Sequence, residues 1–351
     1  MAVGDPFYPG GSNTYIKDHA ATGHLITQYS RNPKDFPLAR YAQYREVKKD
    51  SGYYLKMTAE HAGRIVGGTL EEFVWPDGAD RPQNNANLES IRWADYRTTR
   101  MDIPLRIGDK AVEQAGWDVK SAESANMAQR MMTVRTRQAH ICLETTGNWD
   151  SGHRSAVTSI SGVAGKWDVS TTARLDMKKS INYALEVIRK ATLGVVKKKD
   201  CILVMNPTTA KGIGTAQEMV EAIKHSQDAM KHFKGLTSDY SEFGLPSLLY
   251  GLPIVVEDTV MITSRKGNST TTRSYACSDD VVYLLSRPGG LMARANSGPS
   301  FSSLMCFLYE DMTVEMMKDS KNRRLDGHVV TDVYSGLIAP ASCFAFTDVL
   351  T

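Results

Sequence analysis

The sequence predicts an α+β fold in which a projecting strand pair leads into one long helix, followed by a mixed α/β region. Three observations predict it. Met101, Ile103, Leu105 and Ile107 alternate with Arg100, Asp102, Pro104 and Arg106, the period-two pattern of a half-buried strand. Residues 118–146 contain neither glycine nor proline; Asp118 is placed to cap a helix and Gly147 to stop it. Beyond them, apolar runs such as Cys201–Met205 lie between segments with helical spacing of apolar residues.

The first strand carries Pro104, which cannot donate to a ladder, so an edge or projecting position is expected. Gly108-Asp109-Lys110 is a turn signal, and Ala111–Trp117 is expected to run back as the second limb. Nothing in this segment covers the apolar face of Met101, Ile103, Leu105 and Ile107, so cover from another copy is expected. The helix that follows would be about 42 Å long at ~1.5 Å per residue, more than a compact domain needs. Val119, Ala122, Ala125, Ala128, Met131, Met132, Ile141 and Cys142 form its loose apolar stripe. Arg130, Arg135, Arg137 and His140 lie in an acid-free segment, which reads either as a solvated face or as a surface toward a neighbour or a polyanion.

Residues 1–65 are rich in Gly, Pro, Tyr and charge without a sustained helical period, as in an extended arm. A solvated tail is one reading. Tyr15, Tyr29, Phe36, Tyr41, Tyr44, Tyr53 and Tyr54 favour the other, an arm packed on a surface. After a Gly/Ser-rich connection at 147–170, Met177, Ile181, Leu185 and Ile188 mark an amphipathic helix ended by Gly194. Cys201–Met205 reads as a buried strand turning at Asn206-Pro207 into a short helix. Thr215-Ala216-Gln217-Glu218 reads as a capping box, with Met219, Ile223, Met230 and Phe233 facing inward. Strands are expected at 254–256 and 281–285 around a polar loop at 264–273. A further pair is expected at 307–317 and 328–334, joined by a charged turn at 318–327. The apolar tail at 337–346 returns to a core.

Composition bounds the function. With 351 residues, 42% hydrophobic and 23% charged, the chain can bury a sizeable core. A formal charge of +3 is too small for strong duplex binding. Five scattered cysteines, none in a C-x-x-C pair, suggest neither a disulfide framework nor a zinc site and fit a reducing compartment. No apolar run matches a signal peptide or a spanning helix.

Candidate chemistry is thin. Gly162-Val-Ala-Gly165-Lys166-Trp167 lacks a Walker loop's first glycine and its hydroxyl, since Ile160 and Trp167 stand there. Gly212-Ile213-Gly214 lacks the third glycine of a dinucleotide fingerprint. Asp150, Ser151 and His153 hold triad residue types but no nucleophile elbow. The eight histidines include no H-E-x-x-H. Glu257-Asp258 and Glu310-Asp311 read as solvated carboxylates at strand ends. No catalytic residue, metal or cofactor is expected, and the chain does not read as an enzyme.

The order of parts, with Arg97-Thr-Thr-Arg100, Ile107-Gly-Asp-Lys-Ala-Val-Glu-Gln-Ala115, Val204-Met-Asn-Pro207, Leu249–Asp258 and Glu310-Asp-Met-Thr-Val314, resembles the major capsid proteins of tailed bacteriophages, the Hong Kong 97-like fold. The resemblance covers nearly the whole chain. It implies an N-terminal arm (1–65), a connection (66–89), an extended loop (90–117) and a peripheral domain with a spine helix (118–146 and 304–335). The remainder (147–303 and 336–351) would be the axial domain. The implied function is a shell subunit enclosing a double-stranded DNA phage genome, assembled in the host cytoplasm and resident in the virion capsid. An encapsulin-like compartment is the alternative, and a mixed α/β hydrolase or transferase the third reading. Expected partners are the chain itself in pentamers and hexamers, a separate scaffolding protein, a portal, a decoration protein and DNA in weak contact, with no membrane. Expected subunit-contact residues are Arg97, Arg100, Met101, Ile103, Leu105, Ile107, Lys110, Trp117, Tyr41 and Tyr44. Arg130, Arg135 and Arg137 are expected to face a neighbour or a polyanion.

Overall fold

Two sheets organise the chain, and one long helix packs against both. The computed structural model describes residues 33–57, 77, 91–115, 118–168, 175–224, 243–265, 269–286 and 302–351. Its first elements are helix α1 (Leu38–Tyr41), strands β1 (Ala42–Glu46), β2 (Ser51–Met57), β3 (Ile91–Arg97) and β4 (Thr99–Gly108), and helices α2 (Asp109–Gln114) and α3 (Val119–Glu144). Next come β5 (Arg154–Ala156), α4 (Asp176–Ala191), β6 (Cys201–Met205), α5 (Pro207–Gly214) and α6 (Gln217–Lys224). Strands β7 (Leu248–Leu249), β8 (Leu252–Val256), β9 (Val260–Ile262), β10 (Arg273–Tyr275) and β11 (Val281–Ser286) follow. The long strands β12 (Leu304–Asp319) and β13 (Arg324–Leu337), then β14 (Phe344–Thr347), complete the described chain.

The six-stranded sheet has the order β5-β14-β11-β6-β8-β7. Both of its faces are covered, which is why β6 reads as an unbroken apolar run. Cys201, Leu203 and Met205 pack toward α4, α5 and α6 with Val282, Leu284, Phe344 and Phe346. Ile202, Val204, Tyr283, Leu285 and Ala345 face the other way, against Leu38 and Tyr41 of α1 and Ala139 and Leu143 of α3. Helix α4 buries Met177, Ile181 and Ile188, each contributing roughly 1.5–3 kcal/mol, together with the smaller Ala184. Gly194, at φ +77°, lets its N–H return to the Arg189 carbonyl at 2.7 Å and ends the helix as expected.

The expected capping box does not form. Helix α4 has no side-chain cap at Leu175, and Glu218 supplies one from a distance, accepting from the Met177 and Lys178 N–H groups at 3.0 and 3.1 Å. The Tyr250 hydroxyl also donates to Glu218, while Thr215 turns back to the Gly212 carbonyl. Met230 and Phe233, expected to face inward, lie outside the described residues.

The four-stranded sheet has the order β1-β12-β13-β4, with β1 parallel to β12. Residues 42–46, expected in an arm, are thus an edge strand of this sheet. Strand β4 is the opposite edge, the position that Pro104 requires. Its partner is β13, paired from Arg324↔Gly108 to Val333↔Thr99. That pairing satisfies one side of the β4 backbone, and the other side is the open edge of the sheet. The strand expected over Ala111–Trp117 is instead helix α2, which the good helix formers of Asp109–Gln114 and an acid in the first turn support. Trp117 lies outside the described residues.

Helix α3 matches its expectation. Asp118 accepts from the Lys120 and Ser121 N–H groups at 3.1 and 3.2 Å, and the 26-residue helix ends before Gly147. Its Met131 packs with Ile103 and Val329, flanked by Met101, Met127 and Met312. The apolar face of β4 is therefore buried within this chain, with Ile103 against α3, correcting the expectation of cover from another copy.

Candidate functional site

The expected strand pair does not form over residues 101–117; one separate from the two large sheets is formed instead by β2 and β3. They pair antiparallel from Ser51↔Arg97 to Met57↔Ile91 in a two-stranded sheet of their own. Side chains alternate across such a ribbon, so Tyr54 and Tyr96 share one face, and Tyr53 and Trp93 the other. The Tyr54 and Tyr96 rings both stack on Phe307 of β12, at 5.8 and 4.9 Å between centroids. Burial lifts the Tyr54 hydroxyl to about 12. Gly52 permits this packing, because a Cβ there would stand 2.8 Å from the Tyr96 hydroxyl. The outward face has no such cover. Tyr53 is 75% and Trp93 70% exposed, as diagonal neighbours lining an open apolar depression. Two large aromatic rings held into solvent on a rigid ribbon suit a contact with another macromolecule.

The expected contact residues separate into two groups. Arg97, Arg100, Lys110 and Arg130 are exposed. Arg100 pairs with Glu310 at 3.5 Å and Asp332 at 3.9 Å, and Lys110 sits in the first turn of α2 rather than at a loop tip. Ile103 is buried against Met131 of α3 with Met101 partly buried beside it, and Leu105 and Ile107 are buried as well. Tyr41 is fully buried, and Tyr44, partly buried, packs against the same apolar cluster. Burial pushes both hydroxyls up, that of Tyr41 with the further push of Glu257.

Two of the three helix cations are paired within this chain, Arg135 buried and Arg137 half-buried. Arg135, 5% exposed, donates to Asp311 at 2.8 Å and to the Thr331 hydroxyl. Burial raises the Asp311 carboxyl, but its bonds to Arg135 and the Met312 N–H bring it below the usual range. Arg137 donates to Glu144 at 2.6 Å and to the Ala276 carbonyl at 2.9 Å. The sequence around them is acid-free, but β12 and the helix's own last turn supply the acids. Arg130 alone of the three faces outward, touching the Met127 sulfur at 3.5 Å.

Glu257, expected to be solvated, is fully buried. It accepts from the Tyr41 hydroxyl at 2.7 Å and from the Thr259 N–H at 3.2 Å. Asp150, Ser151 and His153 form no triad: His153 is buried, its Nδ1 2.8 Å from the Cys343 carbonyl. Among the described residues no group of three or more His, Cys, Asp or Glu is arranged to hold a metal. Among them, too, no helix is long and apolar enough to cross a membrane.

A two-sheet body, a long helix across it and a hairpin resting on β12 make this chain an α+β protein of the Hong Kong 97-like fold. No family model and no curated protein matches the sequence. Solved structures do match. A phage-related protein from Bordetella bronchiseptica RB50 superposes over 94% of this chain and 96% of its own, with a TM-score of 0.58 and 13% identity. The holo-SrpI encapsulin complex from Synechococcus elongatus PCC 7942 covers 94% of each chain at a TM-score of 0.52 and 10% identity. At these identities the likeness is one of fold.

Proposed function

We propose that this chain is a major capsid protein whose copies assemble into an icosahedral shell around a double-stranded DNA phage genome. The observation that carries this reading is the β2–β3 ribbon, held by Phe307 on one face and offering Tyr53 and Trp93 on the other. A fold that completes its own cores yet holds two aromatic rings out on a ribbon is suited to gripping a neighbouring copy. The region around the four-stranded sheet and α3 would be the peripheral domain, and the six-stranded sheet with α4–α6 the axial domain. Arg97, Lys110 and Arg130 would lie at contacts between copies. The protein would act as structure and not as an enzyme, residing in the virion capsid after assembly in the host cytoplasm. A scaffolding protein, a portal and a decoration protein would be its partners, with DNA in weak contact.

Electron microscopy of the purified protein tests the proposal. Closed shells, or capsomers and tubes when scaffold is lacking, are the expected result. A monodisperse monomer at micromolar concentration with scaffold present overturns it. An encapsulin-like compartment is the second reading, favoured by the likeness to the Synechococcus encapsulin fold. Particles that release DNA on heating support the capsid, and particles that release an enclosed enzyme support the compartment.

A further inference from the structure

Three segments far apart in the chain meet at one buried hydroxyl. Tyr41, the last residue of α1, places its Oη 2.9 Å from His140 Nε2 on α3 and 2.7 Å from Glu257 Oε2, the residue after β8. All three residues are fully buried. Glu257 Oε1 accepts from the Thr259 N–H and hydroxyl, so donors aim at both carboxyl oxygens. The direction of each bond follows. A phenol has one proton, and Tyr41 gives it to Glu257, so His140 must donate to Tyr41 from Nε2. Its Nδ1 then carries a lone pair, which fits an atom that makes no hydrogen bond.

The location is as informative as the chemistry. Tyr41 immediately precedes β1, a five-residue edge strand aligned only along β12, from Ala42↔Leu304 to Glu46↔Leu308. Burial of one face of β1 excludes a one-residue slip, but a two-residue slip keeps the same face inward, and non-directional apolar packing separates those registers only weakly in so short a strand. A hydrogen bond to a fixed carboxylate separates them.

The geometry points to Tyr41 as a positioning residue: its bonds to His140 and Glu257 form a latch that sets the register of β1 and couples it to the end of β8 in the other sheet. Burial and the neighbouring Asp258 push the Glu257 carboxyl up, while the Thr259 and Tyr41 donors draw it back. Glu144 and Arg137 lie toward His140, and Cys277 and Cys306 toward Tyr41.

Hydrogen–deuterium exchange on the full-length protein tests the latch with Tyr41→Phe, which keeps the ring and removes the bond, and Glu257→Gln, which turns one donor against another. Losing a hydrogen bond to a charged group predicts about tenfold faster exchange in residues 42–46 and 252–259 together, in both variants. Helix α4, on the far side of the six-stranded sheet, keeps its wild-type rate. Infrared difference spectra should also show Glu257 protonating at higher pH in Tyr41→Phe, a change that loss of packing alone would not cause. Faster exchange confined to the mutated segment, equal acceleration of α4, or an unmoved Glu257 titration overturns the latch. If one variant fails to fold, the other is decisive under the same criteria.

Discussion

In the six-stranded sheet every residue of β6 is buried, with α4–α6 on one side and α1 and α3 on the other; in the β2–β3 ribbon only the Tyr54–Tyr96 face is covered. Both regions carry apolar and aromatic residues in strands, though the ribbon mixes them with charged ones. They differ in whether this chain supplies both covers. The comparison teaches that the cores close within one copy, while the ribbon sets two large aromatic rings, Tyr53 and Trp93, outside them; other exposed apolar side chains, such as Ile262 and Met317, stand on β9 and β12. Folding and association can then be altered separately.

The largest expected effect comes from breaking the closed region. Phe344→Ala should destabilise the chain by about 4 kcal/mol in a denaturant melt, by loss of apolar burial and creation of a cavity. Ile103→Ala should cost about 3 kcal/mol, because the side chain packs on Met131 and Val329 of the same chain. An unchanged midpoint, with association lost instead, would return the β4 face to the role of a contact between copies.

Next comes a pH effect. Burial holds His140 neutral, at about 4 against an ordinary 6.5. The folded value is the lower one, so the stability from the neutral form is complete above pH 6.5 and is lost as pH falls toward 4. The loss should reach about 2 kcal/mol by pH 4.5. Glu257, raised by burial, acts with the opposite sign, so the His140 contribution is read by difference. His140→Gln should melt with a shallower pH dependence than wild type over this window; parallel profiles would count against it. The smallest effect on folding is expected in the ribbon. Trp93→Ala should shift the melt by less than about 0.5 kcal/mol while reducing association seen by sedimentation. A large stability loss would mean that Trp93 belongs to a core.

Much of the fold was legible because its signals are local. Cys201–Met205, Val281–Leu285 and the α4 periodicity announce themselves within a few residues, and α3 is delimited by Asp118 and Gly147. The ribbon was not legible, since β2 and β3 are 33 residues apart in the chain with no shared turn signal. Alternation of Trp93 and Asp95 on one face with Ala94 and Tyr96 on the other was the clue available. Tyr41 and Arg135 were misplaced for a different reason: a tyrosine near the amino terminus and an arginine in an acid-free run both look external until Glu257 and Asp311 arrive from more than 170 residues away.

Strand β1 has one further consequence, in time rather than space. Ala42 lies opposite Leu304, so the edge of the four-stranded sheet cannot form while the chain emerges from the ribosome up to that point. At ~5–20 residues per second, the amino-terminal strand waits on the order of 10–50 s for its partner. During that interval the apolar side chains of α1 and β1 lack the cover that Leu304, Cys306 and Leu308 of β12 give them in the folded chain.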